Sequence, residues 1–68
     1  MKFYEKLRQL RGEKKQVEVA EDVGITPQAL NNYEQGVRVP RDEVKFKLAK
    51  YYNKTVDEIF FEEMVHTE

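Results

Sequence analysis

The sequence predicts an all-α fold, a compact bundle of five helices. Three observations carry that expectation. Apolar residues recur at spacings of three and four along most of the chain, Gly24 and Gly36 follow two of the apolar runs, and Thr26-Pro27 and Thr55-Val56-Asp57-Glu58 stand where helices begin.

Each element follows in order. From about Phe3 to Glu13, the residues Phe3, Leu7 and Leu10 fall at helical spacing, and the run Leu7-Arg8-Gln9-Leu10-Arg11 is amphipathic. A second helix is expected from Gln16 to Val23, with Val19, Ala20 and Val23 on one face and Glu18, Glu21 and Asp22 toward solvent. Gly24 ends it, because a helix-terminating residue in the left-handed region is strained by any Cβ. Thr26 then caps free backbone donors, and Pro27 starts a third helix with its φ already set and no amide left unpaired. Leu30 and Tyr33, with Ile25 in the turn, give this helix a buried edge. Gln28, Asn31 and Asn32 share the face turned away from that edge, and Gly36 closes the helix. After the loop Val37-Arg38-Val39-Pro40, a fourth helix from Arg41 to Asn53 buries Val44, Leu48, Ala49 and Tyr52. Lys45, between Val44 and Phe46, is expected to run its stem along apolar surface and keep its ammonium wet. The pair Thr55 and Glu58 has the capping-box spacing and opens a last short helix with Val56, Ile59 and Phe60 inward.

At 68 residues the chain is one small domain with a thin core: 40% of residues are apolar and 37% charged. There is no cysteine, which excludes disulfides and thiolate metal sites. The start, Met1-Lys2-Phe3-Tyr4-Glu5-Lys6, lacks the apolar region of a signal peptide, and no run is long enough to span a bilayer, so a cytoplasmic protein with no membrane partner is expected. Net charge is −1, but residues 1–50 hold 11 Lys and Arg against 8 Asp and Glu, while residues 51–68 hold only Lys54 against five acidic residues. The natural division is therefore a mildly basic body, residues 1–60, and an acidic tail, residues 61–68.

Two short helices joined by a tight turn, the second carrying amides on its outer face, form an arrangement that fits the major groove of DNA while the first helix rests on the backbone. Asn and Gln pair bidentately with adenine N6 and N7, so this reading expects A·T-containing half-sites, with Gln28 the main reader and Asn31 and Asn32 beside it. Lys15, Gln16, Thr26, Arg38 and Arg41, with Lys14 a further candidate, gather around the starts of the two helices, whose free amides already favour anions.

These residues carry a resemblance. Leu10-Arg11, Gln16, Ala20, Gly24-Ile25-Thr26, Leu30, Tyr33-Glu34, Gly36, Pro40, Leu48-Ala49 and Val56-Asp57-Glu58-Ile59-Phe60 are spaced as in the helix-turn-helix domain of phage repressors and Cro proteins, and the chain resembles that Xre-type family of bacterial and phage transcription regulators. The resemblance implies that the helix from Pro27 to Gln35 recognises DNA and that the helix from Gln16 to Val23 supports it. It puts Gln16 on a phosphate through side chain and backbone amide, Thr26 on the backbone, Pro27, Gln28 and Asn32 at base edges, and Arg38 and Arg41 on flanking phosphates. It also makes Arg11 and Glu34 a structural pair. Four features depart from the pattern: Lys15 replaces the usual Ser or Thr cap, the turn Gly12-Glu13-Lys14-Lys15 before it is shorter than in many members, Pro27 has no polar head for a base, and Lys45 stands where a small or apolar residue is common.

Catalysis has no support, since His66 stands alone in the acidic tail and the adjacent carboxylates Asp57-Glu58 and Glu62-Glu63 point apart on a helix. No cofactor and no metal is implied. Phe61, Met64 and Val65 offer more apolar surface than so small a monomer needs, and are expected to form a homodimer contact as a short strand or an extra helical turn, or else to fold back on their own domain. A twofold dimer on a palindromic operator would place two recognition helices ~34 Å apart. The leading function is thus a dimeric repressor or activator of transcription. The competing one is a protein-interaction module of the same fold, of antitoxin or antirepressor type, and a protein partner is a further route to regulation.

Overall fold

A computed structural model describes residues 1–64 and contains five helices: α1 (Phe3–Arg11), α2 (Gln16–Val23), α3 (Pro27–Gln35), α4 (Asp42–Tyr51) and α5 (Val56–Met64). The expected order holds throughout, with α1 and α4 each ending about two residues earlier than periodicity implies. Helix α1 packs against α3 and α5, α2 against α3 and α4, and α4 against α5. One core results, built from Phe3, Leu7, Val19, Ala20, Val23, Leu30, Leu48, Ala49, Ile59 and Phe60.

Helix starts are satisfied mainly by glutamates. The backbone N–H of Lys2 donates to Glu5 Oε1 at 2.8 Å, that of Lys15 to Glu18 Oε1 at 3.4 Å, and that of Thr55 to Glu58 Oε1 at 2.8 Å. At α5 the bond is reciprocated by the Glu58 N–H to Thr55 Oγ1 at 3.1 Å, completing the box expected there. A lysine ammonium has no lone pair to accept an N–H, so Lys2 and Lys15 contribute nothing to the other half. The missing Ser or Thr cap at Lys15 is thus replaced, in part, by a carboxylate reaching back from Glu18, which also complements the helix dipole.

The turn between α2 and α3 is held by backbone bonds from Gly24 and Ile25 N–H to Ala20 O, at 2.8 and 2.9 Å, with Gly24 at φ +89°. Thr26 Oγ1 accepts from the Ala29 N–H at 3.0 Å, fixing the start of α3. At its end Gly36 has φ +77°, and a Cβ there would lie 2.6 Å from the Tyr4 ring. The glycine therefore serves two needs at once: a left-handed cap and the close approach of α1 to the end of α3.

Helix α4 turns Lys45 inward, 8% exposed, and leaves Phe46 62% exposed. The Lys45 stem is covered by the core and its ammonium lies 5.6 Å from the centre of the Phe60 ring, within cation–π range. Helix α5 bends at Phe60 (φ −112°, ψ 16°) and then continues to Met64. Of the two forms expected for the chain past Phe60, the described residues take the helical one.

Tyr52 follows α4 with its hydroxyl buried and, among the described residues, without a hydrogen-bond partner. Burial, and secondarily the Glu34 charge, push its pKa up to about 12, so the neutral phenol is favoured in the fold. The stabilisation linked to that proton is complete below pH 10, the ordinary tyrosine value, and fades as pH rises toward about 12. Tyr52→Phe removes an unsatisfied hydroxyl and keeps the ring, so it should leave stability at pH 7 unchanged or raised by up to about 1 kcal/mol. The variant should also lose less stability than the parent between pH 10 and 12, which urea titrations at a series of pH values measure. A loss of stability at pH 7 would contradict this account.

Candidate nucleic-acid interface

Helix α3 carries one charged residue, Glu34, and that residue is turned inward with 1% of its surface exposed. Helical periodicity makes this unavoidable. Glu34 lies four residues after Leu30, so both fall on the face that packs against α1 and α2. The outer face keeps only uncharged groups: Pro27, Gln28 and Gln35 are exposed, and Asn31 and Asn32 half-buried.

The Glu34 carboxylate is met from two other helices. Arg11 Nε donates to Oε2 at 2.8 Å and to Oε1 at 3.1 Å, and Gln16 Nε2 donates to Oε1 at 2.9 Å. The pairing raises the Arg11 pKa above its ordinary value, chiefly through the hydrogen bond from its guanidinium to Glu34. Arg8 Nη1 donates to the backbone carbonyl of Glu34, placing a cation at the negative end of α3. The Arg8 guanidinium also lies 5.7 Å from the centre of the Tyr4 ring, the ring that receives Gly36. Arg11 further donates to the carbonyl of Lys14 at 2.6 Å, so the α1–α2 connection is held by the same side chain.

Gln16, expected on a phosphate, has both amide protons engaged inside the protein: the second reaches Asn31 Oδ1 at 3.2 Å. Its backbone N–H lies in the first turn of α2, where helical geometry supplies no acceptor, and remains suited to an anion. Asn31 is thus tied to α2, while Gln28 Nε2 donates to Asn32 Oδ1 at 3.3 Å along the exposed side of α3. Thr26 is exposed and its hydroxyl oxygen is occupied by the cap.

Lys15, Arg38 and Arg41 are all exposed. Arg38 is anchored to α3 through its backbone N–H, which donates to Asn32 O at 3.4 Å, and Arg41 is the N-cap residue of α4. Lys14, the further candidate, donates through Nζ to Tyr51 Oη at 3.2 Å, a bond that raises its pKa. Tyr51 in turn donates to Asp22 Oδ2 at 3.1 Å, linking α4 to α2. Phe61 is 53% exposed. The Met64 side chain and Val65, the other two residues expected at a dimer contact, lie outside the described residues.

Sequence reasoning found the Arg11–Glu34 pair but missed Arg8, Gln16 as a partner of Glu34, and the Gln16–Asn31 bond. The spacing of Tyr4, Arg8 and Arg11 on α1 is the one local signal for the first; nothing local relates Gln16 to residues on the next helix. Among the described residues no group of three or more His, Cys, Asp or Glu could hold a metal ion, and no helix is long and apolar enough to cross a membrane.

The Arg11–Glu34 pair is asymmetric, since the Arg11 side chain retains 20% exposure against 1% for Glu34. Removing Arg11 strands a carboxylate with little access to water, so Arg11→Met should cost about 3–5 kcal/mol in chemical denaturation. Glu34→Gln leaves a guanidinium that reaches solvent and should cost less. Equal losses would show that the charge left behind does not decide the energetics.

Comparison with known proteins agrees with this geometry. A helix-turn-helix family model matches residues 5–59. The fold superposes with a TM-score of 0.81 on the solution structure of an SOS-response transcriptional repressor, LexA, from Eubacterium rectale, at 28% sequence identity over 97% of this chain and 72% of that one. No curated protein matches the sequence. A two-helix unit whose second helix has an uncharged outer face and is fixed to α1 by a buried ion pair lies within a family match that spans most of the chain: the protein belongs to the helix-turn-helix family, as a DNA-binding transcription regulator and not an enzyme.

Proposed function

We propose that the protein is a sequence-specific repressor that docks α3 in the major groove of a palindromic operator as a homodimer, in the cytoplasm of a bacterium or from a phage genome. The observation that carries this reading is the charge-free outer face of α3, together with exposed cations at Lys15 before α2 and at Arg38 and Arg41 after α3. A carboxylate on that face would repel the phosphates, whereas amides both donate to and accept from the edges of bases. One similar solved structure is that of an SOS-response transcriptional repressor, which supports the direction of control.

In this reading Gln28 is the main base reader, because it is exposed and its carbonyl and one amide proton remain for adenine. Asn31 and Asn32 lie beside it, Pro27 packs against the base edge, and Thr26 and the Gln16 backbone amide approach phosphates together with the three cations. The exposed Phe61, with Met64 and Val65, forms the dimer contact. A dimer also offsets the weak electrostatics of a chain with net charge −1, since two modest half-sites combine their binding.

Selection from random duplex pools, followed by sequencing, tests the function. Enrichment of a palindrome is expected; no enrichment at low salt would favour the protein-interaction module, whose support is the acidic residues 51–68. On the selected operator, Gln28→Ala should lose about 1–3 kcal/mol of discrimination at one base pair, whereas Arg38→Ala should weaken all sequences and lower the salt slope by about 1. Uniform weakening by Gln28→Ala would remove it from the base readers. Sedimentation of a chain ending after Phe61 should give a monomer where the full chain gives a dimer, and a persisting dimer would remove Met64 and Val65 from the interface.

A further inference from the structure

We infer that Gln16 is a positioning residue that turns the Asn31 amide so that its NH2 group faces the groove, and that Asn31 consequently selects guanine. This rests on the DNA-binding reading above and assigns a base to a residue that the spacing alone groups with the adenine readers.

The orientation is set by a chain of donors and acceptors that begins at a carboxylate. Glu34 is buried and paired with Arg11, and a carboxylate only accepts. The Gln16 group at 2.9 Å from Glu34 Oε1 must therefore be its NH2, whichever way an isolated amide would be drawn. That NH2 has a second proton, directed at Asn31 at 3.2 Å, so the Asn31 atom facing it must be the carbonyl oxygen. The Asn31 NH2 is left on the side away from α2. By contrast, the bond from Gln28 to Asn32 joins two neutral amides, with no charge to dictate which one donates.

An outward NH2 whose carbonyl partner is held by Gln16 offers two protons. Among major-groove edges, guanine presents two adjacent acceptors, O6 and N7, whereas adenine requires a donor and an acceptor together. Asn31 thus complements guanine, while Gln28 retains the donor and acceptor that adenine requires. The half-site then combines an adenine contact from Gln28 with a guanine contact from Asn31, each separately removable.

The test repeats the duplex selection with the parent protein, Asn31→Ala and Gln16→Leu. The parent should enrich guanine at one base pair of the half-site by at least about fivefold over adenine, and Asn31→Ala should abolish that preference. Gln16→Leu should lose the same preference while keeping the one that depends on Gln28. If the base pair sensitive to Asn31→Ala is an adenine contact, or if Gln16→Leu weakens every sequence alike, the inference is overturned and Gln16 is a phosphate contact.

A measurement without DNA separates the two readings. In the free protein the Gln16 side-chain amide protons should exchange with solvent at least about tenfold more slowly than those of Gln28, because only the former are held by a buried acceptor. Equal exchange overturns the relay whatever the DNA results. Slow exchange together with no enriched sequence would instead overturn the DNA reading, and with it the assignment of guanine.

Discussion

The fold of the helix pair depends on one buried carboxylate. Glu34 sits where α1, α2 and α3 meet, and its oxygens take hydrogen bonds from Arg11 on the first helix and Gln16 on the second while its own carbonyl takes one from Arg8. Apolar packing alone fixes the distance between helices more firmly than their rotation, because hydrophobic contact is non-directional. Hydrogen bonds to a charged acceptor are directional and fail if any of the three helices rotates. A buried polar cluster of this kind adds little net stability, yet it selects one arrangement from several that the core would tolerate.

Around that centre the chain distributes its charges with a consistent bias. Carboxylates take the helix starts at Glu5, Glu18 and Glu58, where they hold free N–H groups, and Arg8 takes the end of α3. The remaining surface of α2 is acidic at Glu18, Glu21 and Asp22, so the outer face of α3 is the neutral zone between this acidic flank and the cations of the following loop. Helix α4 shows a related accommodation: a lysine is turned inward with its ammonium beside an aromatic ring, and a phenylalanine is left outside.

Much of this was legible in the residues themselves. Gly24, Thr26, Pro27 and Gly36 mark backbone states that few other residues adopt, so the helix boundaries around the turn could be read without coordinates. The core positions followed from the three-and-four spacing, which depends only on helical geometry. Apart from the Arg11–Glu34 pair, which the family resemblance supplied, bonds between helices could not be read. Gln16 and Asn31 meet because of the angle between α2 and α3, and the spacing within each helix carries no record of that angle. The exposed Phe46 escaped for a related reason: periodicity places Val44 and Leu48 correctly but is silent on how far round the helix the neighbouring elements reach.

The uncharged outer face of α3 has one more consequence. Dipoles of carboxamides fall off steeply with distance and are scarcely altered by dissolved ions, whereas guanidinium and ammonium groups act over a Debye length of ~10 Å at 0.1 M salt. In the proposed DNA-binding role, strength of attachment and choice of sequence therefore reside in physically separate parts of the molecule. On that proposal, changing ionic conditions would adjust how long such a surface dwells on a duplex without reordering which duplexes it prefers.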